Sequence, residues 1–137
     1  MTLAVDTSAL VAILRAEPDA ALIVDALGRS EHHVMSAGTY LEARLVTTRK
    51  GSEAARLTTL LDEAAIQIVP VTPDDARSAA EAFERFGRGS GHPAALNFGD
   101  CFAYALAKTR GLPLLFKGDD FVHTDVEPAL PATGGLE

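Results

Sequence analysis

A single cysteine, Cys101, is the chain's whole thiol inventory. It excludes an internal disulfide and any cysteine-based zinc site, and a reducing cytosol is the simplest home for such a chain. Long apolar runs are missing too. The longest near the N-terminus, Ala9 to Leu14, falls far short of the roughly 20 residues a membrane-spanning helix needs. No basic stretch precedes it, so neither a bilayer span nor a secretory leader is expected. Positive charge is not in excess: the formal net charge is −7, where a protein that grips phosphates usually carries a basic footprint. That weakens nucleic-acid binding as a function without excluding it, because bound metal can neutralise several acids. Arg44, Arg49, Lys50 and Arg56 do cluster, and two readings of them stand: a solvated helix face or a phosphate-facing surface. The histidines His32, His33, His92 and His123 show no metal-ligand spacing, and His32-His33, just ahead of a strand, are expected to face solvent. Gly87-x-Gly89-x-Gly91 resembles a nucleotide fingerprint but follows a helix rather than a strand, which removes that reading.

What remains is a globular composition, 47% hydrophobic and 23% charged over 137 residues, suited to one domain (1–137) with a real core. Leu3-Ala4-Val5 reads as a buried first strand, placed centrally, and Thr7 or Ser8 can cap a helix through Ala9, Leu10, Ile13 and Leu14. Pro18 opens a second helix with Gly28 near its end, and Val34-Met35 is a second strand. Helices follow from about Ala37 to Lys50 and from Glu53 to Ala65. Ile66 to Val71, cut by Pro70, is a third strand; Pro73 starts a helix to Phe86. Phe102 to Lys108 is an apolar helix and Leu112 to Phe116 a fourth strand. A last strand near Ala129-Leu130 precedes a tail whose Gly134-Gly135 suggests fraying. Strands alternating with helices imply an α/β fold with a mostly parallel sheet covered on both faces.

The acids are the informative feature. Asp6, Glu42, Asp100 and the pair Asp119-Asp120 each follow, or lie on the helix after, a short apolar run, and open α/β sheets build sites beyond their strands' C-terminal ends. Each has a structural explanation: Asp6 as a helix cap, Glu42 at capping-box spacing from Thr39, Asp100 in a helix's first turn, Asp119 and Asp120 as turn residues after Gly118. Together they point elsewhere. Close carboxylates repel and resist burial unless a cation compensates, and a set without His or Cys suits Mg²⁺ or Mn²⁺. Ser8 can bond a carboxylate or a metal-bound water, or simply cap the helix. Lys117 can reach a phosphate or serve solubility; core packing is the first reading for Tyr104, with base stacking the second.

Four segments carry a resemblance. Val5-Asp6-Thr7-Ser8-Ala9-Leu10, Met35-Ser36-Ala37 into Tyr40-Leu41-Glu42-Ala43, His92-Pro93-Ala94 through Leu96-Asn97-Phe98-Gly99-Asp100-Cys101, and Leu115-Phe116-Lys117-Gly118-Asp119-Asp120-Phe121 together resemble a PIN-domain ribonuclease of the VapC toxin type, from Leu3 to about Val126. The resemblance implies a compact α/β/α sandwich that cuts RNA with Mg²⁺ or Mn²⁺ held by an acidic quartet. Asp6 and Asp100 would be the principal metal ligands, with Glu42 completing the pocket. The family's Gly-Asn-Asp-Phe segment becomes Gly118-Asp119-Asp120-Phe121, favouring Asp120 as the fourth acid, while Asp119 can still reach the site. It also implies a homodimer and a cognate antitoxin that presents a basic side chain to the acids. Three rivals remain: a phospho-acceptor receiver domain, which wants an acid pair beside the first strand where Asp6 is alone; a non-catalytic acidic module docking a basic peptide; and a PIN nuclease of RNA processing outside toxin–antitoxin systems.

Overall fold

The computed structural model describes residues 1–131, so Gly134-Gly135 and the fraying expected there lie outside the described residues. Four strands, β1 (Thr2–Val5), β2 (His32–Ser36), β3 (Ile66–Val69) and β4 (Leu114–Leu115), form one sheet in the order β3-β2-β1-β4, all parallel. Six helices connect them: α1 (Thr7–Leu14), α2 (Ala20–Arg29), α3 (Ala37–Thr47), α4 (Glu53–Glu63), α5 (Pro73–Phe86) and α6 (Phe98–Arg110). The chain is the expected three-layer α/β/α sandwich.

Strand alternation builds the layers. Successive residues of a strand point to opposite faces. Leu3, Val5, Met35 and Leu115 pack with α1–α4 side chains such as Leu10, Ile23, Leu57 and Leu61. Their neighbours Ala4, Val34 and Leu114 pack on the other face with Phe86, Leu96, Tyr104 and Phe121. An inner strand of a parallel sheet is apolar on both faces, which is why Leu3-Ala4-Val5 has no polar residue.

Several boundaries differ from expectation, each for a local reason. Pro18 lies in a turn, and α2 opens only at Ala20. Helix α3 ends at Thr47, before the turn at Gly51 (φ 62°). Strand β3 stops at Val69 because Pro70 has no amide to donate. Helix α6 starts four residues earlier than its apolar run: Asn97 caps it, accepting from the Asp100 amide while the Asp100 carboxylate accepts from the Asn97 amide. The fourth strand shrinks to two residues, and the last expected strand reduces to a bridge in which Leu114 N donates to Glu127 O and Ala129 N donates to Leu114 O. Among the described residues no helix is long and apolar enough to cross a membrane.

Candidate active site

The order β3-β2-β1-β4 reverses chain direction across the sheet at β1, so the crevice between β1 and β4 is a topological switch point, where open α/β sheets bind ligands. Asp6 follows β1 there. It is 3% exposed and caps α1, its Oδ2 accepting from the Ser8 amide at 3.0 Å. Its Oδ1 is fully buried with no partner. A buried acceptor left unsatisfied is costly. Burial pushes the Asp6 carboxyl up to about 6, with the charge of Glu42 adding to the effect and hydrogen bonding from Ser8 opposing it.

Asp100 sits in the first turn of α6, 6% exposed. Burial pushes it up to about 7 against the Asn97 backbone hydrogen bond, and the charges of Asp6, Asp120 and Glu42 push the same way. The structure therefore brings Asp6, Glu42 and Asp120 within electrostatic reach of Asp100. Asp120 is exposed, on the loop after Gly118. Asp119 instead lines a cavity with Asp19, Leu22, Phe116 and Phe121.

Glu42 is not a capping residue. Ser36 caps α3, accepting from the Gly38 amide at 3.2 Å, so Thr39 lies inside the helix and the capping-box reading fails. The Glu42 carboxylate instead accepts from the Thr7 hydroxyl at 2.7 Å and packs over Gly99. The sequence offers Thr7 only as a helix cap, a place Asp6 takes instead, and Gly99 only through its adjacency to Asp100. Ser8 is a tether: its Oγ accepts from the Lys117 amide at 2.9 Å, joining α1 to the end of β4.

Other sequence candidates have structural work. Lys117 pairs with Glu17 at 3.2 Å. The Tyr104 hydroxyl donates to Asp125 at 2.5 Å, consistent with its core reading. Of the basic cluster, Arg44 donates to the Tyr40 hydroxyl and Arg56 to Leu14 O, while Arg49 and Lys50 are exposed. His33 contradicts expectation: it is 8% exposed, its Nδ1 lies 2.6 Å from Ala64 O and its Nε2 2.9 Å from Leu27 O. The first residues of β2 run beneath the ends of α2 and α4, which cover that side chain.

Among the described residues, no group of three or more His, Cys, Asp or Glu side chains is placed to hold a metal ion. The donor set nevertheless fits a hard cation. It is all carboxylate oxygen, one buried oxygen has no partner, and no lysine or arginine is among the principal groups acting on either buried acid. A divalent ion would satisfy the oxygen and cancel the repulsion.

The whole chain between residues 3 and 127 matches the PIN domain family. Ribonuclease VapC28 of Mycobacterium tuberculosis is 52% identical over 128 residues, covering 92% of this chain and 96% of the relative. Ribonuclease VapC42 of the same species is 51% identical over 127 residues, covering 91% and 97%. The solved structure of VapBC-5, described as a member of the VapBC family of toxin-antitoxin systems from Mycobacterium tuberculosis, superposes with a TM-score of 0.62 at 25% identity, covering 95% of each chain. The fold and the site define a PIN domain, and the chain belongs to that family. Its place within the family is among the VapC ribonucleases.

Proposed function

We propose that the protein is a metal-dependent endoribonuclease, the toxin of a type II toxin–antitoxin pair, hydrolysing RNA phosphodiester bonds at Asp6, Glu42, Asp100 and Asp120. The observation that carries this reading is the uncompensated acid corner: two buried carboxyls pushed up to about 6 and about 7 by burial and mutual charge, beside an unpartnered Asp6 oxygen. Relatives about half identical are named ribonucleases, which supports the activity.

Asp6 and Asp100 would hold Mg²⁺ or Mn²⁺, with Glu42 and Asp120 completing the charge. When bound, such an ion lowers the pKa of a coordinated water and neutralises charge building on the phosphate. The chain's own residues do the rest. The α6 capping box fixes the Asp100 carboxylate through the Asn97 amide. The α1 N-terminus orients Asp6 through the Ser8 amide. Asp120, on an exposed loop, would add negative charge at the solvent side, while Asp119 lines a cavity shared with Leu22 and Ile23 of α2.

The partners follow from the same reading. A cognate antitoxin would present a basic side chain to the acids, an attraction that acidic pockets favour. A homodimer and a cytoplasmic location complete it. The receiver-domain alternative loses support from the Lys117–Glu17 pair, which occupies the late lysine. A non-catalytic acidic module and an RNA-processing nuclease are separated by assay. Purified, antitoxin-free protein is offered a structured RNA pool with Mg²⁺, with Mn²⁺ and with EDTA, beside Asp100→Asn. Metal-dependent cutting lost in a folded Asp100→Asn supports the reading; binding of a basic peptide without any turnover points to the module.

A further inference from the structure

Helices α3 and α6 cross through a pair of exchanged side chains. A Cβ on Gly38 of α3 would overlap the Phe102 ring of α6, and a Cβ on Gly99 of α6 would overlap the Glu42 carboxylate of α3. Each helix thus gives up a side chain where the other inserts one. The Gly38–Phe102 half is ordinary apolar packing. The Gly99–Glu42 half places a half-buried carboxylate against helix backbone, and its other side is held by the Thr7 hydroxyl, 2.7 Å from Oε1.

We infer that Gly99 and Thr7 form a slot that positions Glu42 toward Asp6 and Asp100, and that Gly99 is present for this purpose. The inference rests on the metal-site reading above. Gly99 lies in the first turn of α6, and its backbone φ is not in the left-handed region. Nothing in its conformation requires glycine, and alanine would favour the helix. The nearest atoms a methyl group there would meet all belong to the Glu42 carboxylate. Thr7 has the matching role: it lies between Asp6 and Ser8 on α1, is buried, and its hydroxyl proton is directed at Glu42 Oε1 or, at the longer 3.2 Å, at Thr39 O. Both residues act through Glu42 and are positioning residues. Groups that orient a metal's ligands typically change its affinity by roughly 10–100-fold when lost.

The test is Mn²⁺ titration of the full chain by electron paramagnetic resonance, with circular dichroism melts as the folding control. Gly99→Ala is expected to melt no lower than wild type without metal, yet to bind Mn²⁺ roughly 10-fold or more weakly. Thr7→Val should weaken Mn²⁺ similarly, and Thr7→Ser, which keeps the hydroxyl, should restore it. A helix effect alone would leave Mn²⁺ binding unchanged and would act equally on any background. On a Glu42→Ala background, therefore, Gly99→Ala should add nothing. A crystal structure of Gly99→Ala supplies a readout free of metal: Glu42 is expected to have left Thr7. Glu42 still bonded to Thr7 there, or unchanged Mn²⁺ affinity in a folded Gly99→Ala, overturns the slot while leaving the metal site intact. Wild-type protein that binds no Mn²⁺ overturns the metal reading and the slot's purpose together.

Discussion

Two acidic clusters in this chain have opposite electrostatic fates. Asp125 is surrounded by cations: Lys108 Nζ lies at 3.3 Å, Arg85 at 3.7 Å, and the Tyr104 hydroxyl donates to it. Burial alone would raise its carboxyl, but the Tyr104 and Lys108 hydrogen bonds outweigh this and hold it below the usual range. Asp6 and Asp100 have no cation among the principal groups that act on them, and both are raised. Glu53 follows Asp125, its two oxygens taken by Arg15 at 3.0 and 3.1 Å. These two acids are paired within the chain. The corner beyond β1 is left for something the chain does not supply, and that contrast is the argument for a cation there.

Replacing Asp100 by Asn breaks the contrast most sharply. The amide keeps the α6 cap through its Oδ1 but removes the charge. Loss of several kcal/mol of metal-supplied stabilisation predicts about a 10³-fold fall in RNA cleavage, measured with folded protein under saturating Mg²⁺.

The pH dependence of stability comes next. Asp6 and Asp100 hold protons more tightly folded, at about 6 and about 7, than at the unfolded value of 3.8. Their favourable contribution is therefore complete below about pH 4 and is lost as pH rises through about 6 to 7. Without divalent cations, denaturant melts should lose on the order of 7 kcal/mol between about pH 4 and pH 7 if both shifts act in full. Added Mg²⁺ should restore stability at pH 8 and do little at pH 4. A flat profile would contradict the raised carboxyls.

Asp120→Asn should be weaker than Asp100→Asn, because its side chain is exposed; we predict about a tenfold loss of cleavage, equivalent to some 1.4 kcal/mol. Asp119→Asn should stay near wild type in the same assay. The smallest effect belongs to the paired cluster. Tyr104→Phe should cost about 1 kcal/mol of stability and leave cleavage unchanged.

The candidates were legible in part from sequence because Asp6 ends one apolar run and Asp100 heads another; Glu42 and the Asp119-Asp120 pair fell to the same pattern, and the four-segment resemblance favoured Asp120. Local pattern misled at Glu42, where Thr39 imitates a capping box that Ser36 provides. It also could not separate Asp119 from Asp120, since adjacent loop residues differ only in the direction their turn sends them. His33 was misread because its cover comes from the ends of α2 and α4, distant in sequence. Gly99 was invisible for the same reason. Its meaning lies in a side chain of α3, and no spacing within α6 reports that crossing.

Thermal unfolding of wild type and Asp100→Asn at pH 8, with and without Mg²⁺, tests the central claim most directly. Cation-free wild type should melt below Asp100→Asn, because it carries one more buried carboxylate, Asp100 beside Asp6. Mg²⁺ at about 100 times its dissociation constant should add about 2.7 kcal/mol to wild type and reverse the order. Melting curves of both proteins that ignore Mg²⁺ would contradict a cation site at this corner.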